Sequence, residues 1–470
     1  MGLLVLQVYT YCISGVTSLN NYQTSNLLDI SRWKLSPYQI LSASFAALIL
    51  LGAFLLSLPI SSASGQSTNF MDALFTATSA VCITGLIVVD TGTYWSLFGQ
   101  LVIILLVQAG GLGIMTMTTL IALLIGKKIN LRQRLIMQEA LNQLTLSGIV
   151  RITIYILKMT FLIEFIGGTI LALHWYGEYG PFSIYLGYWH SISSFCNAGF
   201  DLLGNAKSLT GYVSDITINI TVATLVLLGG MGFAVIADVW TTRSFTRLSL
   251  HTKLVLVTST VLLLTGTVVI FLLEYNNPAT LGTLSWQDKI LSSFFQSVTT
   301  RSAGYNTISI SGLETATLFF MSILMFIGAA PGSTGGGIKT STFAVLMLVV
   351  WAIIRGKQDI EVFHRSIPRQ IIYRAFAVAF IASLIVVFIT MMLVIQEDQP
   401  FISLLFEVVS AFGTVGLSTG ITPALSDASK FWLIITMFAG RVGPVTLALA
   451  LALREKKQSV HFPEGKIIIG

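Results

Sequence analysis

Four short stretches of this chain place a glycine at the same point: Cys82-Ile83-Thr84-Gly85-Leu86, Cys196-Asn197-Ala198-Gly199-Phe200, Arg301-Ser302-Ala303-Gly304-Tyr305 and Gly413-Thr414-Val415-Gly416-Leu417. None holds a nucleophile beside a base or a pair of acids, so the chemistry on offer belongs to the backbone. A residue without Cβ lets a loop turn tightly enough to aim carbonyl oxygens inward, where they can replace the hydration shell of a cation. The glycines lie 114, 105 and 112 residues apart, the even spacing of an internal repeat. Arranged about one axis, the four loops would each contribute one side of a ring. The candidate ion-ligating residues are therefore Ile83, Thr84 and Gly85; Asn197, Ala198 and Gly199; Ser302, Ala303 and Gly304; and Thr414, Val415 and Gly416.

Such loops need elements to hold them. Ahead of each glycine lies a half-apolar segment, 72–84, 182–198, 290–303 or 401–415, of 13 to 17 residues. That is too short to cross a bilayer and reads as a re-entrant pore helix. Each is bracketed by longer apolar runs. Residues 37–60, 91–126, 216–237, 254–273 and 375–396 are free of charge, while 152–173 carries Lys158 and Glu164, 315–354 carries Lys339, and 431–453 carries Arg441. Runs of about 20 residues or more span the hydrocarbon core as helix. The expected fold is an all-α polytopic membrane protein: four repeats of span, re-entrant pore helix, filter loop and span, in a pseudo-fourfold arrangement around one pore. The expected boundaries are a cytoplasmic N-terminal arm (1–36), repeat 1 (37–126), repeat 2 with its preceding cytoplasmic loop (127–240), repeat 3 with an intramembrane loop at 330–341 (241–354), repeat 4 with its preceding cytoplasmic loop (355–453) and a cytoplasmic C-terminal tail (454–470).

Composition points the same way. Only 10% of the 470 residues are charged, against roughly 25% in a soluble domain, and the mean hydropathy is +0.83; an ordinary soluble enzyme is excluded. The net charge of +6 would suit a nucleic-acid partner, but 19 of the 26 Lys and Arg sit in segments that join or flank the repeats. By the positive-inside rule those segments are cytoplasmic, with both termini, and no nucleic-acid partner is expected. The re-entrant helices then enter from outside, where acids such as Asp90, Asp201, Glu274 and Glu397 collect and attract cations. The apolar stretch 1–11 lacks a basic leader and a cleavage site and is read as part of the arm. Cys12, Cys82 and Cys196 make no close pair, and the five histidines are dispersed, so neither a disulfide nor a zinc site is expected.

A second glycine signature recurs in the last span of the repeats: Gly110-Gly111-Leu112-Gly113, Gly229-Gly230-Met231-Gly232 and Gly440-Arg441-Val442-Gly443. Glycines in membrane helices usually permit close packing, the reading taken for the first two. The third repeat differs. Residues 315–354 would extend about 60 Å as one helix, twice the hydrocarbon core, so the chain must break within Pro331, Gly332, Ser333, Thr334, Gly335, Gly336 and Gly337. Non-helical backbone at that depth is stable only against water or protein, which places a flexible loop in the cavity below the glycine loops. Arg441 stands at the matching level of repeat four, where a membrane charge is functional by default. Its charge raises the barrier to a cation, and polar groups at Ser333 and Thr334 are positioned in sequence to hydrogen-bond it. These residues, with Lys339, form the candidate gate.

Other motifs carry less. Gly332 to Thr340 resembles a phosphate-binding loop, but Ile338 separates the last glycine from Lys339 and no strand precedes it, so no nucleotide is expected on this chain. Cys82 and Cys196, three residues before their loop glycines, read as small buried side chains. Arg301 takes that position in repeat three and would be costly unless paired; Glu407 is the expected partner. Lys158 is read as reaching toward the cytoplasm. No paired acids and no Ser-His or His-His arrangement at helical spacing suggest an enzyme.

The stretches TSAVCITGLIVVDTGT, FCNAGFD, RSAGYN and FGTVGLSTG, with GKKI…RQRLIMQEALNQ and PGSTGGGIKTS, resemble the Ktr/Trk/HKT superfamily of potassium transporters, most closely the bacterial Ktr-type membrane subunits. The likeness runs from about Ser36 to the end. Trk-type subunits usually have extra N-terminal spans, and sodium-permeant plant HKT proteins often have Ser where this chain has Gly85; both differences favour a potassium-selective Ktr-type protein. The resemblance implies potassium uptake across the plasma membrane through a channel-like pore with a four-loop selectivity filter and an intramembrane-loop gate. It also implies K+ as the transported ion, with Na+ activation left open, a homodimer in the lipid bilayer, and a cytosolic nucleotide-binding regulatory ring of Rossmann-type domains, for which the basic loops 127–151 and 355–374 offer a face. One alternative stays open, a proton- or sodium-coupled symporter in which Glu164, Lys158 or Arg441 moves charge. Inverted repeats would favour it, whereas these four share one orientation.

Overall fold

The computed structural model describes residues 37–113, 149–357 and 359–443, all within one compact unit. The expected N-terminal arm, the basic residues Lys127 to Arg134 and the C-terminal tail lie outside the described residues. Repeat one consists of α1 (Pro37–Ser57), the re-entrant α2 (Phe70–Val81) and α3 (Leu97–Leu112). Repeat two runs through α4 (Ile149–Tyr179), the re-entrant α5 (Phe182–Phe195), α6 (Ile216–Gly230) and α7 (Phe233–Thr242). Repeat three follows with α8 (Leu250–Glu274), the re-entrant α9 (Trp286–Thr299), α10 (Thr315–Phe326) and α11 (Thr340–Ile354). A small hairpin pairs β1 (Glu361–Val362) with β2 (Arg365–Ser366), Glu361 opposite Ser366. Repeat four closes the chain with α12 (Arg369–Gln396), the re-entrant α13 (Phe401–Gly413) and α14 (Asp427–Val442).

The first helix of every repeat is long enough to span, at 21, 31, 25 and 28 residues, or about 31 to 46 Å. Large apolar side chains on these helices, among them Phe54, Leu264 and Phe380, are at least 60% exposed, which suits a surface facing lipid. Several helix starts are written into the sequence: Ser96, Asp215, Ser249, Ser285 and Ser426 each accept a hydrogen bond from a first-turn backbone N–H, worth about 1 kcal/mol apiece.

The last helices are short, with α3, α6, α10 and α14 running 16, 15, 12 and 16 residues. The glycine signature ends three of them: Gly113, Gly232 and Gly443 have φ of +83°, +88° and +94°, a left-handed conformation that stops a helix. Residues 91–126 and 216–237 are therefore not the unbroken spans that their composition suggests. The first begins only at Leu97, after a single turn at Thr91–Tyr94, and the second turns by 97° between α6 and α7. The packing reading holds for the first glycine of each signature and for Gly111, where a Cβ would collide with the Cys196 side chain. A Cβ on Gly110, Gly229 or Gly440 would collide with the carbonyl oxygen of Val81, Phe195 or Phe412 on a re-entrant helix. The expected break in repeat three is present, with no helix between Phe326 and Thr340.

Each last helix packs on the re-entrant helix of the next repeat, α3 on α5, α6 on α9, α10 on α13, and α14 back on α2. Four like units thereby close on themselves in the expected all-α class.

Candidate functional site

The four glycine loops meet. A Cβ on Gly199 would lie 2.6 Å from the carbonyl oxygen of Ala303, and one on Gly304 would lie 2.8 Å from that of Val415. Gly416 faces the Thr84 carbonyl in the same way, and Gly85 faces that of Ala198. The contacts run through repeats one, two, three and four and return to one, so each loop glycine is the surface against which the next loop rests. Of the twelve candidate residues, Gly199 is half-buried and the others are buried.

The local conformation repeats as well. Gly85, Gly199, Gly304 and Gly416 have φ between +72° and +90°, and two residues earlier Ile83, Asn197, Ser302 and Thr414 have φ of +53°, +59°, +68° and +49°. A left-handed non-glycine residue costs about 1–3 kcal/mol, and a β-branched one such as Ile83 is the least tolerant type. Hydrogen bonds to the re-entrant helices hold the conformation: the N–H of Thr84 donates to the Ser79 carbonyl at 2.7 Å, Ala198 to Ser193 at 2.8 Å, Ala303 to Thr299 at 3.1 Å and Val415 to Ser410 at 2.8 Å. A planar trans peptide points its C=O opposite to its N–H, so these bonds turn the carbonyls of Ile83, Asn197, Ser302 and Thr414 away from the helices. Among the described residues, no donor bonds the carbonyls of Thr84, Ala198, Ala303 or Val415. Buried carbonyls left without a donor are what a cation would complete. The loops are also tied to one another, Ser302 Oγ donating to the Gly413 carbonyl and Tyr305 OH to that of Phe200, each at 2.8 Å.

Beneath the ring runs the helix-free segment of repeat three. Its backbone N–H groups use carbonyls exposed where the signatures end helices: Ala330 donates to Gly230 at 3.0 Å, Thr334 to Gly229 at 3.2 Å and Gly337 to Gly440 at 3.3 Å. Gly336 N–H reaches the Thr414 Oγ1 of the ring at 2.9 Å, and Lys339 Nζ folds back onto the Gly335 carbonyl at 2.6 Å. Arg441 bridges the segment to repeat one, its guanidinium donating to the carbonyls of Thr334, Gly110 and Gly111. The bond from the loop thus comes through the Thr334 main chain; Ser333 Oγ instead donates to the Ala330 carbonyl. Pro331 and Gly332 abut repeat two, where the Phe233 N–H donates to the Gly332 carbonyl at 3.1 Å.

Known proteins share this plan. Residues 5–461 match the TrkH family of cation transport proteins. The chain belongs to that family. Ktr system potassium uptake protein B of Bacillus subtilis is 43% identical over 444 residues, 94% of this chain and 98% of the relative. Potassium/sodium uptake protein NtpJ of Enterococcus hirae is 39% identical over 93% of this chain and 98% of its own length. The crystal structure of the potassium transporter TrkH from Vibrio parahaemolyticus matches with a TM-score of 0.68 over 92% of this chain and 87% of that one, at 18% identity, a likeness of fold. Membership in the TrkH family makes this a membrane cation transporter and not an enzyme.

One expectation about charged residues changes. Glu407 does not pair with Arg301. Its carboxylate accepts from Ser418 Oγ at 2.7 Å, Thr419 N at 2.8 Å and Thr422 Oγ1 at 2.8 Å, clamping the segment after the fourth loop. Arg301 instead donates to the carbonyl and hydroxyl of Ser259 on α8, at 3.1 and 3.0 Å. Both residues belong to re-entrant segments, and spacing alone did not say that their side chains diverge. Lys158 is exposed on α4. Cys82 and Cys196 are fully buried as expected, but Cys196 belongs to a polar cluster that spacing concealed: Gln108 Nε2 donates to both Glu164 carboxylate oxygens at 3.0 and 3.2 Å, and Cys196 Sγ lies 3.4 Å from Gln108 Oε1.

Outside the spanning segments, Asp201 follows the second loop by two residues and is 8% exposed. Burial first, and then the neighbouring Asp90 carboxylate, push its carboxyl up to about 7. Asp90 in turn accepts from the backbone N–H of Thr93 at 2.9 Å and of Ala206 at 2.7 Å. The pair joins repeats one and two above the ring, and the sequence signal for it was no more than two acids on the outer face.

Proposed function

We propose that this chain is the pore subunit of a regulated potassium-uptake complex in the plasma membrane, with a four-loop selectivity filter above an intramembrane-loop gate. The reading rests on one observation, the closed ring in which each loop glycine abuts a carbonyl of the next loop. In this proposal the backbone oxygens of the twelve candidate residues replace the hydration shell of the ion. Potassium is supported by the names of relatives from Bacillus subtilis and Vibrio alginolyticus, each a Ktr system potassium uptake protein B. Sodium, which the NtpJ relative carries in its name beside potassium, is the second ion to test. Uptake needs no reaction on this chain and no nucleotide bound to it: a potential of about 100 mV supplies about 2.3 kcal/mol per charge, enough for roughly fiftyfold accumulation.

The segment from Pro331 to Gly337, held by Lys339 and Arg441, is the proposed barrier below the filter, and its bonds to the signature carbonyls of repeats two and four support a closed position. Regulation would move it through cytoplasmic loops 127–151 and 355–374, with both termini on the same side, repeats bounded at 37–126, 127–240, 241–354 and 355–453, a homodimer, and a cytosolic ring of nucleotide-binding domains as partner. Expression in a host lacking its own potassium uptake should restore growth at low external potassium. A chain that reaches the membrane and restores nothing, with or without a regulatory subunit recovered by pull-down, would overturn the proposal.

A further inference from the structure

Arg301 lies 93% buried, with 7% of its surface exposed, yet among the described residues it forms no ion pair. Two of its N–H groups are used by Ser259, and its buried Nε has no hydrogen-bond partner. The side chain lines a cavity of about 120 Å³, close in size to the ~150 Å³ apolar cavity that stays dry and takes up benzene. The other walls are almost all apolar: Leu227 of α6, Leu256 and Leu263 of α8, Val298 of α9, and Ala329. Thr260, which also lines the cavity, is exposed on α8, and Leu264 beside it is 60% exposed. The cavity therefore opens sideways, onto the surface that faces lipid.

These features specify a ligand. A guanidinium in a low-dielectric wall needs a counter-charge, and basic pockets between membrane helices are where acidic headgroups bind. A free inorganic anion has no apolar part to place against the remaining walls, which would stay unused. An acyl chain fits those walls. We infer that the crevice between α6 and α8 is a binding site for an acidic phospholipid, its anionic group on Arg301 and its hydrocarbon against Leu227, Leu256 and Leu263. No part of the filter or gate reading enters, and the site is read by binding and not by flux.

The test uses the full chain in nanodiscs of phosphatidylcholine with and without phosphatidylglycerol, with retained lipid counted by native mass spectrometry. Wild type should hold phosphatidylglycerol in preference to phosphatidylcholine. Arg301→Gln should weaken that retention about tenfold, a loss of about 1.4 kcal/mol, and Arg301→Lys should restore much of it. Leu263→Trp, which fills the cavity and keeps the charge, should weaken retention comparably, so the inference stays testable even if Arg301→Gln fails to fold. Equal retention of the two lipids by wild type, equal retention by wild type and Leu263→Trp, or displacement of the lipid by millimolar inorganic phosphate would each overturn it.

Discussion

Replacing Gly85 with serine perturbs one side of the ring and leaves three. Two costs arise. The backbone there has φ +83°, and a residue with a Cβ in the left-handed region costs about 1–2 kcal/mol. The new Cβ would also collide with the Ala198 carbonyl, and restoring an ordinary carbon–oxygen contact of about 3.3 Å means moving the two loops apart by roughly an ångström. If each carbonyl oxygen carries about half an elementary charge, withdrawal from ~3 to ~4 Å of an ion at an effective dielectric of ~20 loses about 0.7 kcal/mol. The carbonyls of Ile83 and Thr84 together lose about 1.4 kcal/mol, or tenfold in affinity. The larger ion, which needs all four sides at once, bears that loss, while a smaller one can lean on the remaining three. Gly85→Ser should therefore reduce potassium-over-sodium discrimination about tenfold, measured as the ratio of uptake affinities for the two ions. Gly65→Ala is the control. Gly65 has φ +71°, and a Cβ there would meet nothing within 4 Å, so the substitution carries the backbone cost without the collision and should leave the ratio unchanged. A Gly85→Ser protein present at wild-type level with unaltered discrimination would remove Gly85 from the filter, and an equal loss in Gly65→Ala would show that general destabilisation is being measured.

Deleting Gly332 to Gly337 should raise maximal potassium flux without changing selectivity, and Arg441→Ala, which loses the bonds to Thr334, Gly110 and Gly111, should do so in part; a folded deletion protein that conducts no faster than wild type would show that the segment is not the gate. Because burial and Asp90 push the Asp201 carboxyl up to about 7, it is charged above that pH and neutral below it, so uptake from low potassium should weaken as external pH falls through 7 and one cation-attracting charge is lost. Asp201→Asn should flatten that step, and a step that survives the substitution assigns it elsewhere. Glu407→Ala would leave the donors of Ser418, Thr419 and Thr422 without their acceptor, at a cost of about 2–4 kcal/mol; a fall in thermal-unfolding temperature should follow, and an unchanged temperature would mean that the clamp adds nothing to stability.

Much of this architecture is legible in one dimension because lipid leaves few choices. The first apolar run of each repeat is long enough to span and forms one helix of 21 to 31 residues, a run of 13 to 17 is too short to do so, and backbone in hydrocarbon must satisfy itself. The four loop glycines, the re-entrant helices and the break between Phe326 and Thr340 all follow from such lengths. Boundaries inside apolar runs do not, because glycine has two uses there. Gly110 and Gly229 permit close packing while Gly113 and Gly232, three residues on, end their helices, and composition reads the same for both.

What the tertiary structure alone decided is which groups share a point in space. Equal spacing implied four similar loops but not the order in which each glycine meets its neighbour's carbonyl. Nor could it place left-handed backbone on Ile83, Asn197, Ser302 and Thr414, since that strain is imposed by hydrogen bonds from the loops to helices several residues back. The charged residues make the same point most plainly. Sequence led to the expectation that Arg301 and Arg441 are charges at membrane depth that need partners. Only the fold showed Arg441 on three carbonyls from two other repeats and Arg301 on Ser259 beside an apolar crevice, because a side chain's partners are set by which helices pack together, and residues some 330 positions apart carry no local signal of meeting.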